Sequence, residues 1–425
     1  MAETTDTSRG PTGPAEEGPG SGDQPGNALA VPSFRALWLN SLTFYLVANA
    51  LRFVYGWIVL DGLGKSERWQ SGVVFILGVP LLVLLLPAGV WADRFDPKRM
   101  LVGSQLALFL VMAGTAISMG DGAGSLPLLI TSALLAGVVT SIGSPVRSSL
   151  IPALLKGPLL YSGIALNAIA LTLSLVLGAV SARAFGNWFG FDGAFWWLAG
   201  LTLVGTIALA GLKSPGPATS GNRATLSEAV TEGLQYVWNE HGMRALFVLL
   251  SVSGLMMTPI MFVTLQAYIK SDLGRTGGDA APMLALMGVG IAISSVFIMR
   301  RGSMEEKSVK FMRAMLGGTT CMFLMGWTTA FWQVLVLAVV MGMCGGFFIN
   351  MNQGLIQSNT PPPMMGRVMG LYALVSGGLT PFGALALGFL GEKFGNGLAI
   401  KMVAGLAFSI VLWVYLRNQA IRKIS

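Results

Sequence analysis

The chain is poor in charge. Only 11% of its 425 residues are Asp, Glu, Lys or Arg, against about 25% in soluble domains. No Asp or Glu falls in the central part of any of its long apolar runs. There is one histidine, His241, and there are two cysteines, Cys321 and Cys344, both inside apolar runs. So few ligands exclude a protein-held zinc or haem site, and the cysteines imply packing rather than a disulfide framework. A phosphate-cradling Gly-x-x-x-x-Gly-Lys-Ser/Thr loop is missing, which argues against ATP drive. With no His/Cys cluster and no acid pair in the apolar runs, the usual machinery of an enzyme is missing too. No cofactor is expected. Residues 1–30 hold almost nothing to bury and read as a disordered cytoplasmic tail; they lack the basic stretch and apolar run of a cleaved signal peptide.

What the chain has in abundance is apolar sequence, 53% of all residues. A bilayer core about 30 Å thick takes roughly 20 apolar residues per helical crossing. The runs are continuous rather than alternating, so they read as helices and not barrel strands. Twelve are predicted, at 34–60, 70–92, 100–120, 126–147, 159–184, 191–212, 244–269, 281–300, 310–330, 332–357, 366–390 and 397–417. The fold class is therefore all-α integral membrane, with two pseudo-symmetric six-helix bundles at 31–212 and 244–418 and a short tail at 419–425. Internal similarity supports the halves: at an offset of 205, Gly137 falls on Gly342, Leu150 on Leu355, Ile151 on Ile356, Leu166 on Leu371, Ala168 on Ala373 and Gly178 on Gly383. The linker at 213–243 opens on Lys213-Ser214-Pro215-Gly216-Pro217, which stops a helix. Its Thr225-Leu226-Ser227-Glu228 is a capping-box pattern, followed by Leu226, Val230, Leu234, Val237 and Trp238 at helical spacing. This reads as an amphipathic helix at the inner membrane surface, with a solvated loop as the alternative.

A net charge of +8 raises the question of a nucleic-acid partner, but the cations sit in alternate loops. Arg94, Lys98, Arg99, Arg147, Lys156, Lys213, Arg244, Arg300, Arg301, Lys307 and Arg367 fall on one side, and Lys65, Arg68, Arg183, Lys270, Arg275, Lys393 and Lys401 on the other. That asymmetry is the positive-inside rule, which places both termini in the cytoplasm of a plasma or inner membrane and dispenses with nucleic acid.

Several segments then carry a resemblance. They are Phe34-Arg35-Ala36-Leu37-Trp38, Leu86-Pro87-Ala88-Gly89 leading into Ala92-Asp93-Arg94-Phe95-Asp96, Ser144-Pro145-Val146-Arg147 with Leu150-Ile151-Pro152, Ala165-Leu166-Asn167-Ala168, and Gly366-Arg367-Val368-Met369-Gly370-Leu371-Tyr372. Together they resemble the major facilitator superfamily, and within it the branch of enterobactin-type siderophore exporters and macrolide or multidrug efflux proteins. The resemblance implies a rocker-switch carrier with a central cavity. It also implies a conformational latch: Asp93, with Gly89, Arg94, Lys98 and Arg99, packing at the start of the eleventh span near Gly366 and Arg367. The pattern departs from the family's at Asp96, which replaces the usual second glycine, and at Gly178-Ala179, where antiporters often carry Gly-Pro.

Polar residues sharing one face of a membrane helix point at protein or water. The first span carries Ser41, Tyr45, Asn49 and Arg52 on one face. Arg52 is the one charged residue placed deep in a span, and it faces a cavity, snorkels outward or pairs with Asp61. Asn167 in the fifth span, Ser251, Thr258 and Gln266 in the seventh, Asn350 and Gln353 in the tenth, and Tyr372 and Ser376 in the eleventh are further cavity candidates, with helix-to-helix hydrogen bonding as the alternative role for each. All but four of the 23 methionines lie from Met243 onward, which suits either a pliant ligand wall or plain packing. Asp61 and Asp93 are the candidate proton-coupling carboxylates. A cavity with one arginine and no carboxylate favours neutral or anionic amphiphiles over cations. The expected function is export of a medium-sized hydrophobic, neutral or anionic compound by a monomeric, proton-coupled carrier. The alternatives are an uptake permease, a lipid flippase or a non-transporting membrane sensor.

Overall fold

The computed structural model describes residues 28–120, 122–156, 158–213, 226–301, 307–361 and 364–417; for residues 85–94, 148–149, 158, 161, 226–230, 299, 301 and 307 it describes the backbone alone. The described chain is almost entirely helical. The first half holds α1 (Pro32–Gly62), α2 (Glu67–Arg94), α3 (Pro97–Met119), α4 (Leu126–Leu154), α5 (Pro158–Phe189) and α6 (Phe191–Gly211). After the linker helix α7 (Leu226–Asn239) come α8 (His241–Ser271), α9 (Ala280–Arg301), α10 (Lys307–Met325), α11 (Phe331–Ser358), α12 (Met365–Phe394) and α13 (Asn396–Arg417). Among the described residues, eleven helical stretches are long and apolar enough to cross a membrane. The remaining core helix, α10, opens on Lys307, Lys310 and Arg313, which lowers its mean hydropathy below theirs. In the linker, α7 is helical over Leu226–Asn239, and the Thr225-Leu226-Ser227-Glu228 capping pattern lies outside the described side chains.

Local chemistry sets the helix starts. Asp96 accepts the Arg99 backbone N–H at 3.0 Å and caps α3, whose first residue is Pro97. Ser125 does the same for α4 by way of the Leu128 N–H. The Gln333 side chain reaches back to the N–H groups of Thr329 and Ala330 at the head of α11. The loop expected over Gly89–Arg99 is shorter than the motif suggests: α2 runs through Arg94, leaving two residues before Pro97.

The two halves repeat at the level of helix contacts. Gly137 of α4 lies where a Cβ would overlap the Leu77 carbonyl of α2, and its counterpart Gly342 of α11 lies likewise against the Met287 carbonyl of α9. Gly178 of α5 abuts the Leu46 carbonyl of α1, and Gly383 of α12 the Leu255 carbonyl of α8. Only glycine lets two helix backbones approach this closely. One further pair keeps the same offset: Gly190 and Gly395, with φ of 89° and 83°, each form the left-handed hinge between the fifth and sixth spans of a half.

Helix α8 is irregular. Two π-turns, Ser253–Met257 and Ile260–Thr264, flank Thr258 and Pro259. Proline has no N–H and clashes with the carbonyl four residues earlier. That carbonyl belongs to Leu255, the one Gly383 packs against. Exposed tryptophans sit near the span ends, Trp69, Trp188, Trp327 and Trp332 at the end away from the linker and Trp238 and Trp413 at the linker end. They form the aromatic belts of a membrane protein.

Candidate substrate cavity and the seam between the halves

Arg52 lines a cavity of about 270 Å³ between the two halves, with Tyr45 and Asn49 of α1, Thr140 and Ser141 of α4, Phe262 of α8 and Thr380 of α12 among its other walls. Among the described residues no carboxylate is on that wall. Among the described residues nothing ion-pairs or hydrogen-bonds with the Arg52 guanidinium; its electrostatic neighbour is the Phe262 ring, 5.8 Å from the guanidinium carbon. The rest of the polar face is held from α5. Tyr45 donates to Asn167 Oδ1 at 3.4 Å, and Asn49 donates to Ser174 Oγ at 2.9 Å and to the Tyr45 carbonyl at 3.1 Å. Asn167 therefore supports the wall without lining it.

A second cavity, about 230 Å³, lies almost wholly in the second half. Thr258, Tyr372 and Ser376 line it, but methionine dominates: Met257, Met261, Met287, Met315, Met322 and Met341. The Thr258 and Ser376 hydroxyls are spent on their own helices, donating to the Ser253 and Ala373 carbonyls.

At the end away from the linker the halves are joined by a polar seam. Gln70 Nε2 donates to Gln266 Oε1 at 2.9 Å and to the Val263 carbonyl at 3.2 Å, with both glutamines fully buried. Asp61 pairs with Lys270 at 3.4 Å and accepts the Gly278 N–H at 3.1 Å; Lys270 also donates to the Leu60 carbonyl. Arg183 donates to Thr276 at 3.1 Å, approaches Asp279 at 3.9 Å and lies over the Trp57 ring at 4.6 Å. Asn396 bridges Glu67 and Ser271 at 2.7 and 2.9 Å. These polar side-chain contacts join the halves at this end, so this conformation is closed there.

Residues 37–384 match the profile of the Major Facilitator Superfamily. The chain belongs to that family. It is 22% identical to the uncharacterized MFS-type transporter YkuC of Bacillus subtilis (strain 168), over 80% of this chain and 81% of that one. It is 25% identical to the multidrug efflux pump Tap of Mycolicibacterium fortuitum, over 80% and 85%. A higher identity, 32%, to the multidrug resistance protein MdtG of Klebsiella pneumoniae (strain 342) covers 35% of this chain and 37% of that protein. In fold, it superposes on the nucleoside transporter NupG with a TM-score of 0.76 at 11% identity, covering 91% of this chain and 100% of the other. A POT family transporter with bound 5-aminolevulinic acid gives 0.73 at 13% identity, over 92% and 96%. It is thus a multi-pass membrane transporter with multidrug efflux relatives, not an enzyme.

Several facilitator residues stand elsewhere than their spacing suggested. Ser41 is 2% exposed and packed inside the first bundle, off the cavity. Gln266 belongs to the seam. Ser251 bonds its own helix at the Phe247 carbonyl, and Asn350 ties α11 to α9 through Ser295 at 3.1 Å; neither lines the two cavities described above, nor does Gln353. Arg52 does not pair with Asp61, whose partner is Lys270. Of the latch, the side chains of Gly89, Asp93 and Arg94 lie outside the described residues. Lys98 donates to the Ala210 carbonyl at the end of α6, and Arg99 is capped through its backbone. Gly366 is exposed. Arg367 is engaged by the linker helix: it forms an ion pair with Glu232, and its backbone packs on Gly233. Nearby, Tyr236 donates to the Asn359 carbonyl at 2.9 Å, and partial burial, with Glu240 beside it, pushes its hydroxyl pKa upward.

The largest correction concerns Arg147. Counted among the loop cations, it is instead 1% exposed within α4, whose last turns run past it to Leu154. Its guanidinium stacks 3.6 Å over Phe44, Nε donates to Asn40 Oδ1 at 3.1 Å and Nη1 to the Gly143 carbonyl at 2.8 Å. Asn40 in turn donates to the Gly205 carbonyl at 2.9 Å. Arg52 is therefore not the one cation inside a span. The predicted fourth span stops at Arg147 itself, which puts the residue at a helix end and so among the loop cations.

Proposed function

We propose that this facilitator exports a medium-sized hydrophobic, neutral or anionic compound, of the siderophore or macrolide kind, from the cytoplasm by alternating access driven by protons. The observation that carries the reading is the Arg52 guanidinium, lining the central cavity with no carboxylate beside it. An arginine at the centre of a membrane helix costs about 2.5–3.5 kcal/mol on insertion scales. A carrier that keeps one without a protein counter-charge gains from it when the cargo supplies the anion. Outward direction rests on similarity to proteins named as efflux pumps. With the basic loops and the linker on the cytoplasmic side, the polar seam faces outward and the cavities await cargo from within.

Asp61 is the carboxylate through which we infer that a proton acts. Protonation there removes the charge opposite Lys270 and loosens the outer seam. The latch around Asp93 and Arg367 remains the proposed inner counterpart, with the linker helix as a third member through Glu232.

The test is flux in inverted membrane vesicles under an imposed pH gradient, comparing an anionic amphiphilic dye with ethidium. The anionic dye should accumulate, and Arg52→Gln should reduce its uptake tenfold or more. Strong preference for ethidium, or full activity in Arg52→Gln, overturns the reading. Loss of dye from the vesicle lumen instead of accumulation reverses the direction.

A further inference from the structure

The central site is divided. The Arg52 cavity and the methionine cavity adjoin along three helices: Phe262 lines both, Leu171 and Leu175 of α5 line one each, and so do Gly377 and Ser376 of α12. The chemistry changes across that boundary. On one side are a cation, an amide, a phenol and four hydroxyls, of which Thr140, Ser141 and Thr380 bond their own helices. On the other, among the described residues, are six thioethers, with the Thr258 and Ser376 hydroxyls turned back onto their own helix carbonyls and the Tyr372 phenol and Ser253 hydroxyl beside them, but no cation and no amide side chain. Neither chamber, at about 270 and 230 Å³, reaches the roughly 300 Å³ at which pockets begin to bury a drug-sized molecule. A ligand large enough to need a dedicated carrier has to occupy both.

We propose that the cargo is one molecule in two parts: an oxyanion head (carboxylate or phosphate) held at Arg52, and a slim apolar chain lying in the methionine slot, with Phe262 at the waist between them. This rests on the anionic-cargo reading above and sharpens it. A guanidinium grips two oxygens of one head in parallel. Methionine side chains have several rotatable bonds and a polarizable sulfur, so they close around a chain without demanding one shape. Phe262, 9% exposed, sets the width of the passage and lies beneath the arginine. It is a specificity-determining residue: the head is selected by charge on one side of it, and the chain by length and thickness on the other.

The experiment is calorimetric titration of the full-length protein in lipid nanodiscs, with empty nanodiscs subtracted. The probes are n-alkyl phosphates and n-alkanoates of increasing chain length, with n-alkyltrimethylammonium ions as the matched cationic series. For the unmodified protein, affinity for both anionic series should rise about fourfold per added methylene and then level off once the slot is full. The cationic series should not bind above the nanodisc background. In Arg52→Gln, every member of the anionic series should weaken tenfold or more while the dependence on chain length survives. In Phe262→Trp, the dependence on chain length should vanish. The unmodified series needs no variant, so a misfolded mutant cannot hide the answer. Anions that bind with no dependence on chain length overturn the two-part cargo and leave the anionic reading standing. Cations binding as well as anions, with Arg52→Gln indifferent, overturn both.

Discussion

Gln266 offers the sharpest test of how the outer seam holds. It is fully buried, accepts from Gln70 at 2.9 Å, and donates weakly to the Phe53 carbonyl at 3.4 Å. Replacing it by methionine keeps an unbranched stem of similar length beside Gly56, where little else fits. It also strips Gln70 Nε2 of one of its two acceptors, leaving the Val263 carbonyl. The Gln70 Oε1 atom already lacks a partner, so that amide would keep one bond in a dry interior. A lost neutral hydrogen bond costs about 0.5–1.5 kcal/mol, and a buried donor left bare about 1–3. Intramembrane values run lower, to about 1.7 at most. The closed state should therefore lose about 1–2 kcal/mol relative to an open one in which the groups meet water, a shift of roughly 5–30-fold in their ratio. If the open state is near 1% in the unmodified carrier, it becomes measurable in Gln266→Met. Spin labels at Lys65→Cys and Asp272→Cys, both exposed on opposite sides of the seam, in a background lacking Cys321 and Cys344, report it as a second, longer distance by pulsed electron resonance. Replacing both partners by apolar side chains is nearly neutral where replacing one is not, so the double variant Gln70→Met with Gln266→Met should return toward the closed distance. A single variant indistinguishable from the parent, or a double variant more open than the single, would refute the reasoning.

Three other perturbations follow from the same contacts. Gly342→Ala should destabilise the second half by about 1–3 kcal/mol through overpacking, because its Cβ would overlap the Met287 carbonyl; Gly345→Ala, with open space at that position, should be neutral in the same thermal unfolding assay. Arg147→Lys should cost about 1–3 kcal/mol, since an ammonium cannot serve Asn40 and Gly143 while stacking flat on Phe44; an unchanged unfolding midpoint in detergent would show that the stacked, forked geometry is unimportant. Glu232→Gln should loosen the linker helix from α12 by no more than about 1 kcal/mol, the pair being partly exposed. Hydrogen exchange should therefore quicken over 231–239 and leave α12 unaffected.

The spans were legible because lipid forces continuous apolar runs with satisfied backbones, and the twelve predicted helices coincide with the observed ones to within a few residues at most ends. The fourth span is the exception. The span expected to stop at Arg147 continues through Pro152 to Leu154, and Arg147 finds Asn40 and Phe44 inside the bundle. No pattern within α4 announces partners on another helix. The polar face of α1 reaches the Arg52 cavity from Tyr45 to Arg52, whereas Ser41 packs inside the bundle, one residue from Asn40, which carries the contact with Arg147. Ser251, Thr258 and Gln266 failed as a single face for a definite reason. Two π-turns intervene between them, and each extra residue rotates everything beyond it by about 100° against the 3.6-residue period. Pro259 was the visible warning that the period would not hold.

The same contacts suggest where the molecule flexes. Within each half, the crossings α2–α4, α9–α11, α1–α5 and α8–α12 place a glycine against a backbone carbonyl. Such contacts have one geometry and forfeit most of their packing on sliding, so each half should move as a block. Across the halves the atoms nearest a glycine are side-chain atoms: Pro381 beside Gly78, Ser71 beside Gly388, and Val176 beside Gly288. These contacts present side-chain surface rather than backbone carbonyls, and the seam above them is polar, so each bond broken there can be replaced by one to water. A carrier needs two states within a few kcal/mol of each other. An apolar, backbone-to-backbone closure would favour one of them too strongly, whereas exchangeable glutamines, carboxylates and cations at the outer end keep both accessible. The boundary of motion therefore runs along α2–α12 and α5–α9. Cross-linking either pair should stop transport without altering head-group affinity, and cross-linking α2 to α4 should leave transport intact.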